Sequence, residues 1–485
     1  MSIFSWEGLL ALVLGGLYGS LFGAIPGLTA TLAVALFIPI AFFLEPAVAL
    51  PAIIAISSVA IYAGDVGSAI ARIPGTPASA AYADELHGLT KSRGPFYGLG
   101  ISALGSATGG IIGTLLLIFS ATALARLAAQ FSSFEYFWIA VLGLTAGIFA
   151  SGRAPVKGFV SLAIGLLFAT VGIDPTLGFP RFHFENPNLL SGLNYIVAMI
   201  GLFGFSEVLE HLYKGSRKTN AVAITDSKDS GARLFFIQPL KLIIQEKWAV
   251  VRSSLLGVMV GFLPGAGADI GSWVATSVQK MQDEEPDKVV LSGTTSNNAA
   301  VASAWIPALS LGLPGDTVTA IVLGVFLMKG ITPGPMLFEQ SPELVYALFA
   351  TFLIANLVLL PFYGYLTARI AARVIRAPLT LIVSVIAGLC VVGAYAINNN
   401  PFDVWVMAGM GLVAFILRRG GFPLAQVVLG MVLGPILEQN FMVSAIKSRW
   451  NWSSFFERPI ALVLMVLTLV IIVAGIRLVR AKTKQ

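Results

Sequence analysis

The chain has 485 residues, of which 57% are hydrophobic and 11% charged, and a mean hydropathy of +0.87. A soluble domain carries ~25% charge, so the composition excludes an ordinary soluble protein and predicts a polytopic membrane protein. The 30 Lys and Arg against 24 Asp and Glu are expected on cytoplasmic loops rather than on nucleic acid, and the single cysteine, Cys390, excludes an internal disulfide or a cysteine metal cage.

Met1 to Gly8 carries Glu7 and no basic residue, so it lacks the basic start of a cleaved signal peptide. Apolar segments follow at 8–24, 28–44, 46–63, 96–120, 134–150, 155–172 and 192–211. A linker then holds eight basic residues between Lys214 and Arg252 against three acidic ones. Within it Leu240, Ile243, Ile244 and Val251 fall near helical spacing, which predicts an interfacial helix after Pro239. Apolar segments resume near 253 and continue to 478. The expected organisation is a first transmembrane repeat over 1–213, a basic cytoplasmic linker over 214–252 and a second repeat over 253–440. An outer loop, an extra helix and a basic tail fill 441–485.

The second run repeats the first. Gly19-x-x-x-Gly23-x-x-Pro26-Gly27 returns as Gly257-x-x-x-Gly261-x-x-Pro264-Gly265, a shift of 238. Ile73-Pro74-Gly75-Thr76 returns as Leu313-Pro314-Gly315-Asp316 at 240, and Gly88-Leu-Thr90 as Gly330-Ile-Thr332 at 242. Ser57 and Ser58 then stand where Asn297 and Asn298 stand.

Basic residues give the sidedness, because they accumulate in short cytoplasmic loops. With the tail after Ile476 inside, alternating spans leave 19 basic residues in inner loops and 5 in outer ones. Segment 134–150 then starts outside, and its counterpart 380–397 starts inside. The expected fold is therefore all-α and polytopic, with two inverted-topology repeats of Pro-Gly-interrupted hairpin helices plus an extra C-terminal helix. That pattern marks secondary transporters, whose site lies between the repeats.

Irregular backbone at membrane depth is tolerated where it lines a cavity or meets a ligand. Pro74-Gly75-Thr76-Pro77 and Pro314-Gly315-Asp316-Thr317 read as helix starts, with Thr76 and Asp316 as N-caps and Pro77 at the first helical position. Entering from opposite faces, they would aim backbone donors at one anion. Asn297, Asn298, Ser57 and Ser58 offer uncharged oxygens and donors for Na⁺ or a carboxylate, or else join helix to helix. Arg72 either answers a substrate carboxylate or pairs with Asp65, whereas Asp269 and Asp316 suit a cation or proton. The three histidines share no spacing for a metal, and no phosphate-binding Gly-x-x-x-x-Gly-Lys-Ser/Thr is present. Energy is therefore expected from an ion gradient or a separate subunit.

These elements, together with Ile73-Pro-Gly-Thr-Pro-Ala-Ser-Ala-Ala81, Asn297-Asn-Ala-Ala300, Leu311-Gly-Leu-Pro-Gly315 and Gly330-Ile-Thr-Pro-Gly-Pro335, resemble the large membrane subunit of the tripartite tricarboxylate transporters over nearly the whole chain. The resemblance implies a secondary transporter of the bacterial inner membrane, not an enzyme. It would take a carboxylate such as citrate from a periplasmic binding protein beside a small membrane subunit, driven by Na⁺ or H⁺ and without an organic cofactor. The expected substrate site is Arg72, Pro74, Gly75, Thr76, Pro77, Asn297, Asn298, Pro314, Gly315 and Thr317. Ser57, Ser58 and Asp316 are expected at the coupling ion, and Gly23, Pro26, Gly27, Gly261, Pro264 and Gly265 at the hairpin turns. A channel-like anion pore and a membrane-embedded transferase are the alternatives. A transferase would need a clustered acid, base or metal set, which the dispersed histidines do not offer.

Overall fold

The computed structural model describes residues 5–25, 28–150, 154–174, 176–214, 231–263, 267–374 and 379–482. Pro26, Gly27, Pro264 and Gly265 lie outside them. The regular structure of the described chain is helical apart from a two-residue antiparallel pair, β1 (Gly172–Ile173) and β2 (Pro180–Arg181). Eight of its helical runs are long and apolar enough to cross a membrane, and five shorter apolar helices accompany them. The protein is an all-α, multi-pass membrane protein.

The first half opens with α1 (Trp6–Ala24) and α2 (Ala30–Phe43), capped by Ser5 and Thr29, whose side chains accept the Gly8 and Leu32 amides. Next come α3 (Pro46–Ala63) and α4 (Asp65–Ala71), one run broken at Gly64. Gly15, Gly19 and Gly23 of α1 lie against the backbone of Ala52, Ile56 and Ala60 in α3. A Cβ on Gly15 would fall 2.7 Å from Ala52 O and one on Gly19 2.5 Å from Ile56 O, so only glycine permits this approach. The register runs parallel, and it brings the end of α1 beside the middle of the α3–α4 run. Helix α2 then leads back to the start of α3, so α1 and α2 run as the two arms of a hairpin.

Beyond the bend at Pro74 the half continues through α5 (Ala83–Arg93), α6 (Pro95–Ala128), α7 (Ser133–Ala150) and α8 (Pro155–Ala169). It closes with one long helix built of α9 (Tyr195–Met199), a π-helical segment (Ile200–Phe205) and α10 (Ser206–Lys214).

The linker helix departs from the expected one. A π-helical segment, Arg233–Ile237, runs into α11 (Gln238–Gln245), and the chain breaks at Glu246 before α12 (Lys247–Phe262). Pro39 and Pro51 show that this chain carries prolines within its helices, and Pro239 sits in the first turn of α11, where a missing N–H costs least. Phe235 is fully buried, its backbone packed on Gly100 of α6. Lys247 to Arg252 therefore begins the next hairpin rather than ending the linker.

The second half runs through α13 (Ala268–Gln282), α14 (Pro286–Ser303), α15 (Trp305–Leu311), α16 (Thr317–Met328) and α17 (Pro335–Gln340). Helices α18 (Pro342–Ile354) and α19 (Leu360–Val374) are joined by a π-helical segment, Ala355–Leu359. Then follow α20 (Leu379–Asn398), α21 (Pro401–Arg419), α22 (Leu424–Lys447), a short α23 (Ser454–Glu457) and α24 (Pro459–Lys482).

Contacts recur between the halves at the shift read in the sequence. Gly257 and Gly261 of α12 lie on Ser296 and Ala300 of α14, as Gly19 and Gly23 lie on Ile56 and Ala60. Helix α4 ends on Arg72 and α15 on Gly312, both left-handed, at φ 56° and 71°. One small apolar cluster consists of Ala30, Ala60 and Ile61 together with Ala268, Ala300 and Val301. Each member from one half has its counterpart from the other.

Polar contacts sort the loops into two ends of the bundle. At one end Lys157 donates to Gly420 O at 2.6 Å, Arg418 meets Glu207 at 2.5 Å and Arg419 stacks on Tyr213. At the other Arg181 forks onto Glu438, Arg458 pairs with Glu135 at 2.5 Å and Asn400 donates to Asn188 at 2.9 Å. The first set carries the loops whose charge marks them as inner, the second those marked as outer.

Candidate substrate and ion site

The site is built where both bends meet both hairpins. Gly75 closes the first bend, its amide donating to Gly64 O at 3.2 Å. A Cβ on Gly75 would lie 2.6 Å from that oxygen, and one on Gly315 would lie 2.7 Å from the backbone of Ala304. These are the same contact 240 residues apart.

Each bend is tied by a reciprocal cap. In the first, Thr76 N donates to Ser79 Oγ and Ser79 N to Thr76 Oγ1, both at 3.1 Å. In the second, Thr319 N donates to Asp316 Oδ1 at 2.7 Å and Asp316 N to Thr319 Oγ1 at 2.9 Å. Asp316 thus caps α16, which begins at Thr317 as expected. The first bend differs from the expectation: Pro77 and Ala78 form a turn leading into a 3₁₀ segment, Ser79–Ala81, and α5 begins only at Ala83. Cross-contacts from α13 hold it in that form, Ala78 N donating to Asp269 Oδ1 at 3.2 Å and Trp273 Nε1 to Pro77 O at 3.1 Å.

Each half therefore reaches the other's bend. Asp269 of α13 takes the first bend's amide, and Thr31 of α2 meets Thr317 at the second bend, Oγ1 to Oγ1 at 3.0 Å. Thr31 and Asp269 are themselves counterparts at a shift of 238. Asp269 also lies within electrostatic reach of Asp316. The amide at Ala78 is occupied by the chain's own carboxylate.

The remaining sequence-selected residues fall into distinct places. Asn297 is 3% exposed; one turn away on α14, Gly293 packs against the Tyr82 ring, whose hydroxyl donates to Asp65 at 2.9 and 3.1 Å. Ser102 of α6 also donates to Asp65. Asn298 points elsewhere: its amide donates to Ser106 O of α6 at 3.1 Å and to Asn356 Oδ1 at 2.7 Å. It joins three helices beside Gly110, where a side chain would overlap Asn356. Ser57 donates to Ile54 O at 3.0 Å, within its own helix, whereas the buried Ser58 and Ser68 hydroxyls have no partner among the described residues. Arg72 bonds Asp84 at 2.6 Å with 62% of its side chain exposed, not Asp65. The Arg72 guanidinium holds the Asp84 carboxyl below the usual range.

Sequence reading missed Ser79, Thr319, Thr31 and Tyr82. The first three carried a signal, the three-residue cap spacing and the constant shift between halves. Tyr82 carried none.

Helices broken at matched bends in a multi-pass helical protein are a common architecture of secondary transporters. The chain belongs to the TctA family of tripartite tricarboxylate transporters, whose model matches residues 9–429, and it is a subunit of such a transporter. It is 31% identical over 477 residues to an uncharacterised 52.8 kDa protein of the TAR-I ttuC′ 3′ region of Agrobacterium vitis, covering 95% of this chain and 92% of that one. An uncharacterised protein of the TAR-II ttuC′ 3′ region of the same organism is 34% identical over 241 residues, 47% of this chain and 98% of its own length. No solved structure matches.

Proposed function

We propose that the chain is the carrier subunit of an ion-gradient-driven importer of a carboxylate, a tricarboxylate or related organic acid, in the bacterial inner membrane. A periplasmic binding protein delivers the substrate, a small membrane subunit sits beside the chain, and Na⁺ or H⁺ drives uptake. The observation that carries this reading is the exchange of contacts at the bends, where each half caps its own bend and contacts the other's. A site built that way opens to one side when one half tilts against the other. The counterpart helices support an inverted arrangement: α7 begins at the end where α20 finishes, since Glu135 and Asn400 lie with the same outer loops.

In this reading a substrate carboxylate takes the Ala78 amide from Asp269, with Thr76, Thr317 and Asn297 around it. Asn298 serves packing and Arg72 the inner surface.

The test is uptake into proteoliposomes holding the chain, its small partner and a binding protein, with labelled citrate and a panel of di- and tricarboxylates. Accumulation requiring both an ion gradient and the binding protein is expected. Equilibration without either would replace the carrier with a pore. In the same assay Asp269→Asn should lower the half-saturating carboxylate concentration by about tenfold, because a competing negative charge leaves the site.

A further inference from the structure

Asp65 is 1% exposed and opens α4 at the break in the α3–α4 run. Two hydroxyls, those of Tyr82 and Ser102, donate to its carboxyl. No Lys, Arg or His among the described residues forms an ion pair with it. An ionised carboxylate enclosed in protein with hydroxyl donors alone costs several kcal/mol, so such a group neutralises by binding a proton.

The elements packed around it offer no counter-charge. Helix α3 presents Tyr62, whose hydroxyl donates to Gly364 O at 3.0 Å. From α5, Asp84 is held by Arg72, and the His87 Nδ1–H donates to Ala69 O at 2.9 Å. Arg369 of α19 stacks on Tyr365, and Asp269 of α13 adds negative charge near Tyr82. The glycine-lined end of α1, from Leu17 to Ala24, carries no charged residue.

The position joins several parts of the fold. Through Ser102 the carboxyl touches α6, through Tyr82 it touches the far end of the first bend, and through the Tyr82 ring packed on Gly293 it reaches α14 of the other half. Any movement of that bend must open this cluster.

We propose that Asp65 is the proton-carrying group of the transport cycle. Its carboxyl is protonated while the Thr76 to Tyr82 bend lies closed against α6 and α14. When the bend swings away and water enters, the O–H bond breaks and the proton passes to water on that side, leaving a hydrated carboxylate. The inference rests on the carrier reading and names its coupling ion.

The test uses proteoliposomes of the native complex and of Asp65→Asn, which keeps shape and acceptor oxygen but cannot release a proton. The substrate is labelled citrate, or whichever acid of the panel the native complex accumulates. Native protein should concentrate it under a pH gradient alone. Asp65→Asn should still exchange internal for external label but lose concentrative uptake. The infrared spectrum of native minus variant protein should contain the C=O stretch of a protonated carboxylic acid.

Concentrative uptake by Asp65→Asn, or native uptake driven only by Na⁺, would overturn the assignment and leave the carrier standing. Absence of concentrative uptake by native protein with every acid would remove the carrier reading itself. If Asp65→Asn does not fold, Tyr82→Phe and Ser102→Ala serve. Each removes a donor to the ionised carboxyl, so the proton is held to higher pH and the midpoint of uptake against pH moves upward. An unmoved midpoint in both would also overturn the assignment.

Discussion

Asn297 and Asn298 are adjacent, both buried, and of one chemical type, yet they face different helices. A helix turns about 100° per residue, so neighbours cannot share a partner. Asn297 is buried on α14 one turn from Gly293, where the Tyr82 ring packs, and Asn298 satisfies Ser106 O and Asn356 Oδ1. Asn298→Ala leaves both acceptors buried without that donor and should destabilise the protein by about 1–3 kcal/mol. The check is thermal unfolding in detergent together with carboxylate binding by the fraction that folds. A lowered melting point with unchanged affinity is expected, and a lost affinity at native stability would return Asn298 to the site. The pair was legible in the sequence as buried polar residues, but its division was not, because a linear motif does not say which helix lies on which face. The partner of Arg72 was not legible for a related reason. It stands in a left-handed C-cap where the second half has Gly312, and its side chain leaves the interior for Asp84.

Among the elements, glycine spacing was the most legible signal and also the most demanding. The repeated Gly-x-x-x-Gly marks where α1 meets α3 and α12 meets α14, because the nearest atom to each of these glycines is a backbone carbonyl oxygen of the facing helix. The contact between α6 and α14 rests on the same device at Gly109 and Gly113, with Gly105 set against the Thr294 side chain, and no repeated motif announced it. Gly109 lies directly on Thr295, and a Cβ there would overlap its carbonyl oxygen. Gly109→Ala should therefore force the helices apart and destabilise by about 1–3 kcal/mol. Gly88→Ala is the control. Gly88 lies in α5 with nothing within 4 Å of an added Cβ, and alanine there should gain about 0.5–1 kcal/mol of helix propensity. Opposite shifts of the melting point are expected, and equal shifts would mean that α6 does not pack on α14 this closely. The bends were legible as breaks but not as shapes. Both carry a cap with three-residue spacing, yet only the second starts a long helix at once, because Asp269 and Trp273 of the other half hold the first in a tight turn.

For the whole molecule, charge and contact agree on two ends without sharing any assumption. The charge count uses the alternation of spans and where lysine and arginine accumulate, and the contacts use which loops touch. They group Lys157 with Gly420 and Arg418 with Glu207 at one end, and Arg181 with Glu438 and Arg458 with Glu135 at the other. Contact alone cannot say which end faces the cytoplasm, whereas the positive residues can. Single cysteines decide it. Cys390 is buried against Gly204, so a Cys390→Ala background should fold and carry Asn188→Cys at the end assigned outward and Arg419→Cys at the end assigned inward. In intact cells a membrane-impermeant maleimide should label Asn188→Cys and spare Arg419→Cys until the membrane is permeabilised. The reverse pattern would keep the two ends but turn the molecule over in the membrane, so that the end carrying Arg181 and Glu438 faced the cytoplasm. Labelling of both before permeabilisation would break the link between the loops of each end, and with it the opposite directions of α7 and α20 on which the inverted arrangement depends.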